Sequence, residues 1–317
     1  MTPSTHRRAL LPAALVASLA LAACGGGEAD NVSQDGDALS GTIQIDGSST
    51  VAPLSEAAAE LFQAENPGVR VVVGTSGTGG GFKKFCAGET DISDASRPIK
   101  DTEAAECEKN GVKYEQVTVA NDGLAVVVNK DNDWAECLTV EQLNTMWKPD
   151  STAKSWKDID PSFPDEPLAL FGPGTDSGTF DYFTGEINGE EGASRTDYQP
   201  SEDDNVIVQG IQGSKGGTGY FGLSYVEENP DAIKAVGVDS GAGCVEPSTE
   251  TVLDGSYTPL GRGLFIYAKD SIVARPEGIA FLKFYIDNSD AIAEQALYVP
   301  MSDKQKSESS AKIDSLA

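Results

Sequence analysis

The sequence predicts an α/β protein with two lobes. Short runs rich in β-branched residues alternate with stretches that repeat apolar residues at helical spacing, an alternation typical of α/β proteins. The length of 317 residues favours two lobes over one. Glycine- and serine-rich loops recur where a predicted strand gives way to a predicted helix, which indicates a shared binding edge.

The predicted strands share runs of Val, Ile, Leu and Phe. They are Thr42–Ile45, Val69–Val73, Leu124–Val128, Leu168–Phe171 and Leu264–Tyr267. Helical patterns lie between them. Val51–Glu65 places its apolar residues on one face, Thr139 and Gln142 form a capping box for a helix that reaches Trp147, and Pro276 opens another helix.

The first 23 residues are predicted to be a secretory signal peptide. Arg7 and Arg8 precede an apolar run from Ala9 to Ala23, and no acidic residue occurs before Cys24. The run of about 15 residues is shorter than the 18 or more of a membrane-spanning helix. We therefore expect the segment to be removed and the protein to be exported.

Cys24 is predicted to carry a lipid anchor. The preceding Leu21-Ala22-Ala23 resembles the bacterial lipoprotein box, the alternative being that Cys24 is an ordinary structural thiol. Diacylation is sufficient for stable anchoring, and residues 24–41 have the composition of a flexible tether. The protein is thus expected at the outer face of the bacterial cytoplasmic membrane, with the anchor as its only membrane contact.

The other four cysteines are expected to form two disulfides, because bonds of this kind persist outside the cytoplasm. Four cysteines allow three pairings, and we favour Cys86 with Cys107 and Cys137 with Cys244, one in each lobe. No Cys-x-x-Cys pair occurs and His6, inside the signal peptide, is the only histidine. A metal site built on sulfur is therefore not expected.

The charge of the chain excludes nucleic acid as a partner. The formal net charge is −27, and loss of Arg7 and Arg8 with the signal peptide changes it to −29. Such a surface does not attract an anionic ligand over a distance. An anion must instead be held by local dipoles and one or two cations.

Three small-residue loops are candidates for holding an anion: Gly47–Thr50, Gly77–Gly81 and Gly174–Thr179. Each precedes a predicted helix, whose N-terminus offers free backbone N–H groups and a partial positive charge. A single loop of this kind is usually only a helix cap. A fourth small segment, Ser93–Arg97, strengthens the interpretation, and because no loop has the Walker pattern, nucleotide hydrolysis is disfavoured.

The ordered succession of these motifs resembles the phosphate-binding lipoproteins of bacterial phosphate ABC transporters. The matching segments run through nearly the whole chain after the tether. They are Asp46–Val51, Ser76–Lys83, Asp94–Ile99, Val119–Val126, Thr175–Phe180 and Gly216–Phe221.

That resemblance implies a type II periplasmic-binding-protein fold, with two α/β lobes, a ligand cleft and a hinge of two crossing strands. Lobe I would comprise residues 42–121 and 258–317, and lobe II residues 122–257. The protein would capture inorganic phosphate by hinge closure and deliver it to the permease subunits. We expect a monomer that uses no cofactor and is not an enzyme.

The resemblance also implies a set of phosphate-binding residues, drawn from all four small segments. They are Ser49, Thr50 and Val51 in the first, Thr78 and Gly79 in the second, Ser177, Gly178 and Thr179 in the third, and Ser96 in the fourth.

Two positions depart from the family pattern. Arg97 stands where the best-known members have an aspartate that accepts a hydrogen bond from protonated phosphate, and Pro173 where they have an arginine. We therefore expect Arg97 to supply the cation. The alternative is that Arg97 lies at the surface and pairs with Asp94 or Asp101.

The acceptor for the phosphate proton is left open, with Asp122 and Asp176 as candidates. Alternative functions are also open: a receptor for sulfate or molybdate, a phosphoester hydrolase with a carboxylate metal site, or a surface adhesin. A Ser-His-Asp hydrolase is excluded, because no histidine follows the signal peptide.

Overall fold

The computed structural model describes residues 38–175 and 177–316. The strands within these ranges are β1 (Gly41–Gly47), β2 (Val69–Thr75), β3 (Ile92–Ala95), β4 (Tyr114–Asn129), β5 (Cys137–Thr139), β6 (Ala169–Pro173), β7 (Gln199–Ser201), β8 (Gly217–Gly222), β9 (Ile233–Asp239), β10 (Cys244–Val245) and β11 (Gly261–Lys269). The predicted signal peptide, Cys24 and most of the tether lie outside the described residues.

The helices in the same ranges are α1 (Ala52–Glu65), α2 (Gly77–Cys86), α3 (Asp101–Lys109), α4 (Val140–Trp147), α5 (Gly178–Phe183), α6 (Asp204–Gln212), α7 (Leu223–Glu228), α8 (Thr249–Leu253), α9 (Asp270–Val273), α10 (Pro276–Asp287), α11 (Ser289–Gln295) and α12 (Asp303–Leu316). A π-helical turn, Thr184–Asn188, continues α5. No helix among the described residues is long and apolar enough to cross a membrane.

The sheet has two halves that share β4. In the first half the strand order is β2-β1-β3-β11-β4, with β1 parallel to β2 and β3, and β11 antiparallel to its neighbours. In the second half β4 pairs with β8 and β9, and β8 continues to β6 and β7. Short strands β5 and β10 extend it through β9.

Two chain segments cross between the halves. Strand β4 pairs with β11 as far as Gly123 and with β8 from Leu124 onward. At that change the backbone N–H of Leu124 donates to Leu260 O at 2.8 Å, just before β11 begins. The two crossings therefore lie side by side, as a two-strand hinge requires.

The hydrophobic core divides in the same way. One cluster takes its buried side chains from residues 43–120 and 264–313, around Phe62 and Phe281. A second takes its buried side chains from residues 124–260 and Val299, around Trp147 and Tyr220. The molecule therefore has two α/β lobes, which we call lobe I and lobe II, while the limits at 121/122 and 257/258 stay a prediction.

The local sequence signals explain most of the elements. The Thr139 hydroxyl accepts the N–H of Gln142, and the Gln142 side chain reaches back, so the predicted capping box at α4 is present. Pro276 opens α10 as predicted. Both predicted disulfides, Cys86–Cys107 and Cys137–Cys244, are formed.

The prediction of a loop at Gly77–Gly81 is wrong, because α2 begins at Gly77. Glycine is needed here for close packing. A Cβ atom on Gly81 would lie 2.5 Å from the Cα of Gly47 and 2.8 Å from the Ser93 hydroxyl. The first turns of α2 are rich in glycine, so they pack directly on β1. The start of α2 therefore lies beside the start of α1.

Candidate functional site

A small cavity of about 30 Å³ lies where the two lobes meet, at the ends of several strands and the starts of three helices. Its lining residues come from both lobes. They are Ser48, Ser49, Thr50, Gly77, Thr78, Ser96, Gly178, Asp181, Tyr182, Glu191 and Arg262.

The first loop connects β1 to α1 and leaves donors unused. The N–H of Ser48 bonds Asp94 O, and the N–H groups of Val51 and Ala52 both bond Ser48 O. No side chain caps α1, and among the described residues the N–H groups of Ser49 and Thr50 have no partner. These free donors at a helix start suit an anion. Buried Val51, by contrast, lies outside the cavity lining.

The second segment contributes a hydroxyl pair. Thr78 Oγ1 lies 3.0 Å from Ser96 Oγ and accepts the N–H of Ser96 at 3.3 Å. Ser76, the N-cap residue before α2, does not cap the helix with its side chain, because its hydroxyl donates to Asp46. Gly79 does not line the cavity. This wall therefore presents Thr78 and Ser96 beside an uncapped helix start.

The third segment brings lobe II against lobe I. Ser177 Oγ accepts the N–H of Thr179 at 3.2 Å and caps α5, and neither of these two residues lines the cavity. Gly178 does line it, and a Cβ atom there would lie 2.5 Å from Thr50 Oγ1 and 3.1 Å from Thr50 N. Only glycine allows this approach between the lobes. Asp176 lies outside the described residues.

The cation at the cavity is Arg262, near the start of β11. Its side chain is 17% exposed, and its Nε and Nη2 donate to Oδ2 of Asp122 at 3.3 and 3.2 Å. Nη1 donates to Ser96 O at 3.2 Å and Nη2 to Thr50 Oγ1 at 3.3 Å. Because Thr50 Oγ1 accepts from the guanidinium, its own O–H remains free to donate to a ligand.

Arg97, the cation expected from the sequence, lies elsewhere. Its Nη1 and Nη2 donate to the two carboxylate oxygens of Glu103, both at 2.8 Å, and Nη1 also bonds Pro98 O. Glu103, in the first turn of α3, meets the planar guanidinium with both oxygens, and Arg97 is not part of the cavity lining. Neither Asp94 nor Asp101 is its partner.

Sequence reasoning missed Arg262 although the sequence carried a signal for it. The residue stands between Gly261 and Gly263 at the second predicted crossing, and in the β4–β11 register it lies opposite Asp122. Two opposite charges facing each other across two hinge strands were available as a clue. The two charges are seen to face each other only when β4 is paired antiparallel with β11, and the sequence does not reveal that pairing.

Asp122, a predicted phosphate contact, is the counter-ion of Arg262 and is not part of the cavity lining. Burial raises the pKa of its carboxyl, and the charge and hydrogen bonds of Arg262 oppose that shift. Since Arg262 occupies its Oδ2 atom, Asp122 acts on the cavity through the arginine.

The carboxylates that do line the cavity are Asp181 and Glu191, which sequence reasoning also missed. Burial raises the pKa of Asp181, the charge of Glu191 raises it further, and Arg262 opposes both. Nearby Glu186 has its pKa raised for the same reasons. Lobe II therefore offers proton acceptors to a ligand that lobe I surrounds with donors.

A further buried carboxyl stands behind the first loop. Asp94 is fully buried, its Oδ1 accepts the Ser55 hydroxyl at 2.8 Å, and its Oδ2 has no partner among the described residues. Burial raises the pKa of Asp94 to about 7, opposed by the Ser55 hydrogen bond and reinforced by Asp46 and Glu56. Asp94 is thus neutral over much of the acidic range.

The described residues contain no cluster of three or more histidine, cysteine, aspartate or glutamate side chains suited to a metal ion. The arrangement at the cavity is that of a binding site: hydroxyls, free amides and one guanidinium face two carboxylates across a narrow cleft.

Comparison with known proteins gives consistent matches. A family model described as a PBP superfamily domain matches residues 32–289. Protein SphX of Synechocystis is 47% identical over 267 residues, which cover 82% of this chain and 78% of that protein. The phosphate-binding protein PstS of Staphylococcus saprophyticus is 40% identical over 306 residues, covering 96% of this chain and 92% of that protein.

A solved structure agrees over the same range. The crystal structure of a possible phosphate binding protein from Planctomyces limnophilus superposes with a TM-score of 0.85 at 47% sequence identity. The match covers 88% of this chain and 99% of that chain.

Proposed function

Because this chain belongs to the PBP superfamily and to the family of the PstS phosphate-binding proteins, we propose that it captures inorganic phosphate outside the cytoplasm. It then delivers the ion to the permease subunits of an ABC transporter. The type II fold, with its cleft at a two-strand hinge, suits capture and release of a small ligand.

One observation carries the assignment: Arg262 is held at the cavity together with hydroxyls of Thr50, Thr78 and Ser96. In a chain of net charge −27, such a concentration of donors needs a ligand that uses them. A dehydrated tetrahedral oxyanion does so, since each oxygen accepts two or three hydrogen bonds. Charge-assisted bonds from a guanidinium are the strongest of these.

The opposite wall favours phosphate over sulfate. At neutral pH phosphate carries at least one proton and sulfate carries none. A P–OH group donates a hydrogen bond to the carboxylate of Asp181 or Glu191, whereas sulfate places an unprotonated oxygen beside the same charge. Asp181 and Glu191 are therefore the proposed acceptors, in place of Asp122 and Asp176.

The proposed phosphate contacts are the predicted residues that line the cavity, together with Arg262 in place of Arg97 and with the two carboxylates, Asp181 and Glu191, that the sequence did not predict. They are Ser49, Thr50, Thr78, Ser96, Gly178, Asp181, Glu191 and Arg262.

Export and anchoring complete the proposal. Residues 1–23 would be cleaved, and Cys24 would carry the lipid that holds a monomer at the outer face of the cytoplasmic membrane. Mass spectrometry of the membrane fraction tests this part: a diacylated N-terminal Cys24 supports it, and an intact N-terminus contradicts it.

Thermal denaturation of purified residues 25–317 tests the function. Phosphate at about 100 times its dissociation constant should add about 2.7 kcal/mol to the free energy of unfolding. Sulfate and chloride at matched ionic strength should add little. Equal stabilisation by sulfate would indicate a general oxyanion receptor, and no stabilisation by either would rule out an oxyanion site.

A further inference from the structure

We propose that Tyr182 is a positioning residue that fixes the plane of the Arg262 guanidinium toward the ligand. This inference rests on the proposed function, since it assigns a role within the same site. The observation behind it is a close stack: Cζ of Arg262 lies 3.4 Å from the centre of the Tyr182 ring.

The hydrogen bonds of Arg262 hold its plane only through long contacts to three single acceptor atoms, Asp122 Oδ2, Ser96 O and Thr50 Oγ1. Nε and Nη2 both donate to the same oxygen of Asp122, so the carboxylate holds the guanidinium at one point. All its hydrogen bonds measure 3.2 to 3.3 Å. Arg97 differs, because two oxygens of Glu103 hold it at two points at 2.8 Å. A ring against the flat face of Arg262 reinforces a plane that these long bonds hold only weakly.

Tyr182 is itself rigidly placed. Its hydroxyl donates to Pro259 O at 2.7 Å, and the residue is 5% exposed. In α5 it lies four residues after Gly178, on the same helix face, and next to Asp181. The helix that carries the lobe II contacts to the ligand thus also carries the ring under the cation.

The stack also affects the strength of the cation. A ring on one face of the guanidinium excludes water from that face, and a less hydrated charge interacts more strongly with an anion. The N–H edge stays open, because the ring contacts the face and leaves in-plane donors free. Tyr182 accordingly acts through Arg262 and needs no contact with phosphate.

Isothermal titration with inorganic phosphate on ring-deleting and ring-keeping variants tests the inference. Tyr182→Leu should bind about tenfold more weakly than the parent, whereas Tyr182→Phe should stay within about threefold, since it keeps the ring. Tyr198→Leu is the matched control. Tyr198 also donates its hydroxyl to a proline carbonyl, that of Pro173, but lies away from Arg262, and its loss should change affinity less than twofold.

A double-mutant cycle separates positioning from packing. In an Arg262→Lys background the planar group is gone, so Tyr182→Leu should then weaken binding less than about threefold. An equal loss in both backgrounds would overturn the inference, as would a Tyr182→Phe variant as weak as Tyr182→Leu. Thermal denaturation without phosphate checks folding, and Tyr182→Met replaces the leucine variant if that variant unfolds.

The parent titration separates this inference from the proposed function. A parent that binds no phosphate refutes both. A parent that binds phosphate with a Tyr182→Leu variant of equal affinity refutes only the role of Tyr182.

Discussion

The two walls of the cleft have opposite chemistry. The lobe I wall carries Arg262 and serine and threonine hydroxyls, among them those of Ser48 and Ser96. The lobe II wall carries Gly178 and the carboxylates of Asp181 and Glu191. In the proposed complex, one wall donates hydrogen bonds to a negative ligand and the other accepts hydrogen bonds from its protonated oxygen. The proposed site thus places most of the hydrogen-bond donors on lobe I, and the closing contact and the carboxylates on lobe II.

Arg97 and Arg262 differ in how their charges are paired. Arg97 meets both carboxylate oxygens of Glu103 at 2.8 Å, with side chains 27% and 19% exposed, so one carboxylate compensates its charge closely. Arg262 shares its donors between Asp122 and neutral acceptors, so some of its capacity remains for a ligand. A guanidinium held by both oxygens of a carboxylate is typical of a structural ion pair, and one that meets a single carboxylate oxygen in a cleft is a candidate for binding an anion.

The largest effect is expected from blocking closure at the lobe II wall. Gly178→Val places a side chain against Thr50, whose Oγ1 and N lie 2.5 and 3.1 Å from the new Cβ position. Phosphate affinity should fall roughly 100-fold, equal to about 2.7 kcal/mol. Gly222→Val is the control, because its Cβ would have no neighbour closer than 3.8 Å. Isothermal titration checks both, and unchanged affinity in Gly178→Val would contradict closure at this contact.

The next largest effect concerns Asp94, the buried carboxyl behind the lobe I wall, and the pH dependence of stability. Folding raises the pKa of Asp94 to about 7 from an unfolded value of about 3.9, so the folded state keeps its proton more tightly. This contribution to stability is complete below about pH 4 and is lost as the pH rises through about 7. Asp94→Asn removes that dependence.

Melting curves at about pH 5 and pH 8 measure the pH dependence that Asp94 contributes to stability. The free energy of unfolding of Asp94→Asn, relative to the parent, should rise by on the order of 2 kcal/mol between these values. The neighbours of Asp94 that titrate, Asp46, Glu56 and Tyr285, remain in both proteins. Asp165→Asn, at an exposed site, is the control. A parallel pH profile in Asp94→Asn would show that Asp94 is ionised when folded.

A smaller effect is expected for the acceptor. Asp181→Asn should weaken phosphate binding about three- to tenfold and leave sulfate binding equal or stronger, since the amide no longer repels an unprotonated oxygen. Because the pKa of Asp181 is raised, the preference of the parent for phosphate should already decline above the ordinary aspartate value of about 3.9 as the solution is acidified. Competition titrations measure the ratio of phosphate affinity to sulfate affinity. An unaltered ratio in Asp181→Asn would move the acceptor role to Glu191.

The smallest effect is expected at Arg97. Since Glu103 pairs with Arg97 through both of its oxygens and Arg97 does not line the cavity, Arg97→Ala should change phosphate affinity less than about twofold. Glu103→Gln, which leaves the guanidinium in place, serves as the paired variant. A tenfold loss of phosphate affinity in Arg97→Ala would show that Arg97 belongs to the phosphate site.

Much of the fold followed from local signals in the sequence. Apolar runs located the main strands, and Thr139 with Gln142 located α4, because capping and burial are decided within a few residues. The loop assigned to Gly77–Gly81 was wrong because Gly81 serves a close contact with Gly47, which lies 34 residues earlier in the chain. Packing between distant segments leaves no local pattern.

The site followed the same division. Loop motifs identified Ser49, Thr50, Thr78, Ser96 and Gly178, all of which line the cavity. Arg262 and Asp181 were missed. Their roles depend on the pairing of β4 with β11 and on the direction in which α5 enters the cleft, and neither is encoded near the residues themselves.

The most direct measurement is the phosphate affinity of Arg262→Ala and Arg262→Lys, compared with Arg97→Ala, by isothermal titration. Loss of a charge-assisted bond in the closed cleft should weaken binding about 10- to 100-fold in Arg262→Ala. Lysine should restore part of it, since it keeps the charge and loses the planar fork. Circular dichroism checks folding, because Asp122 loses its partner. Affinity within about twofold of the parent in folded Arg262→Ala would contradict a phosphate site centred on Arg262.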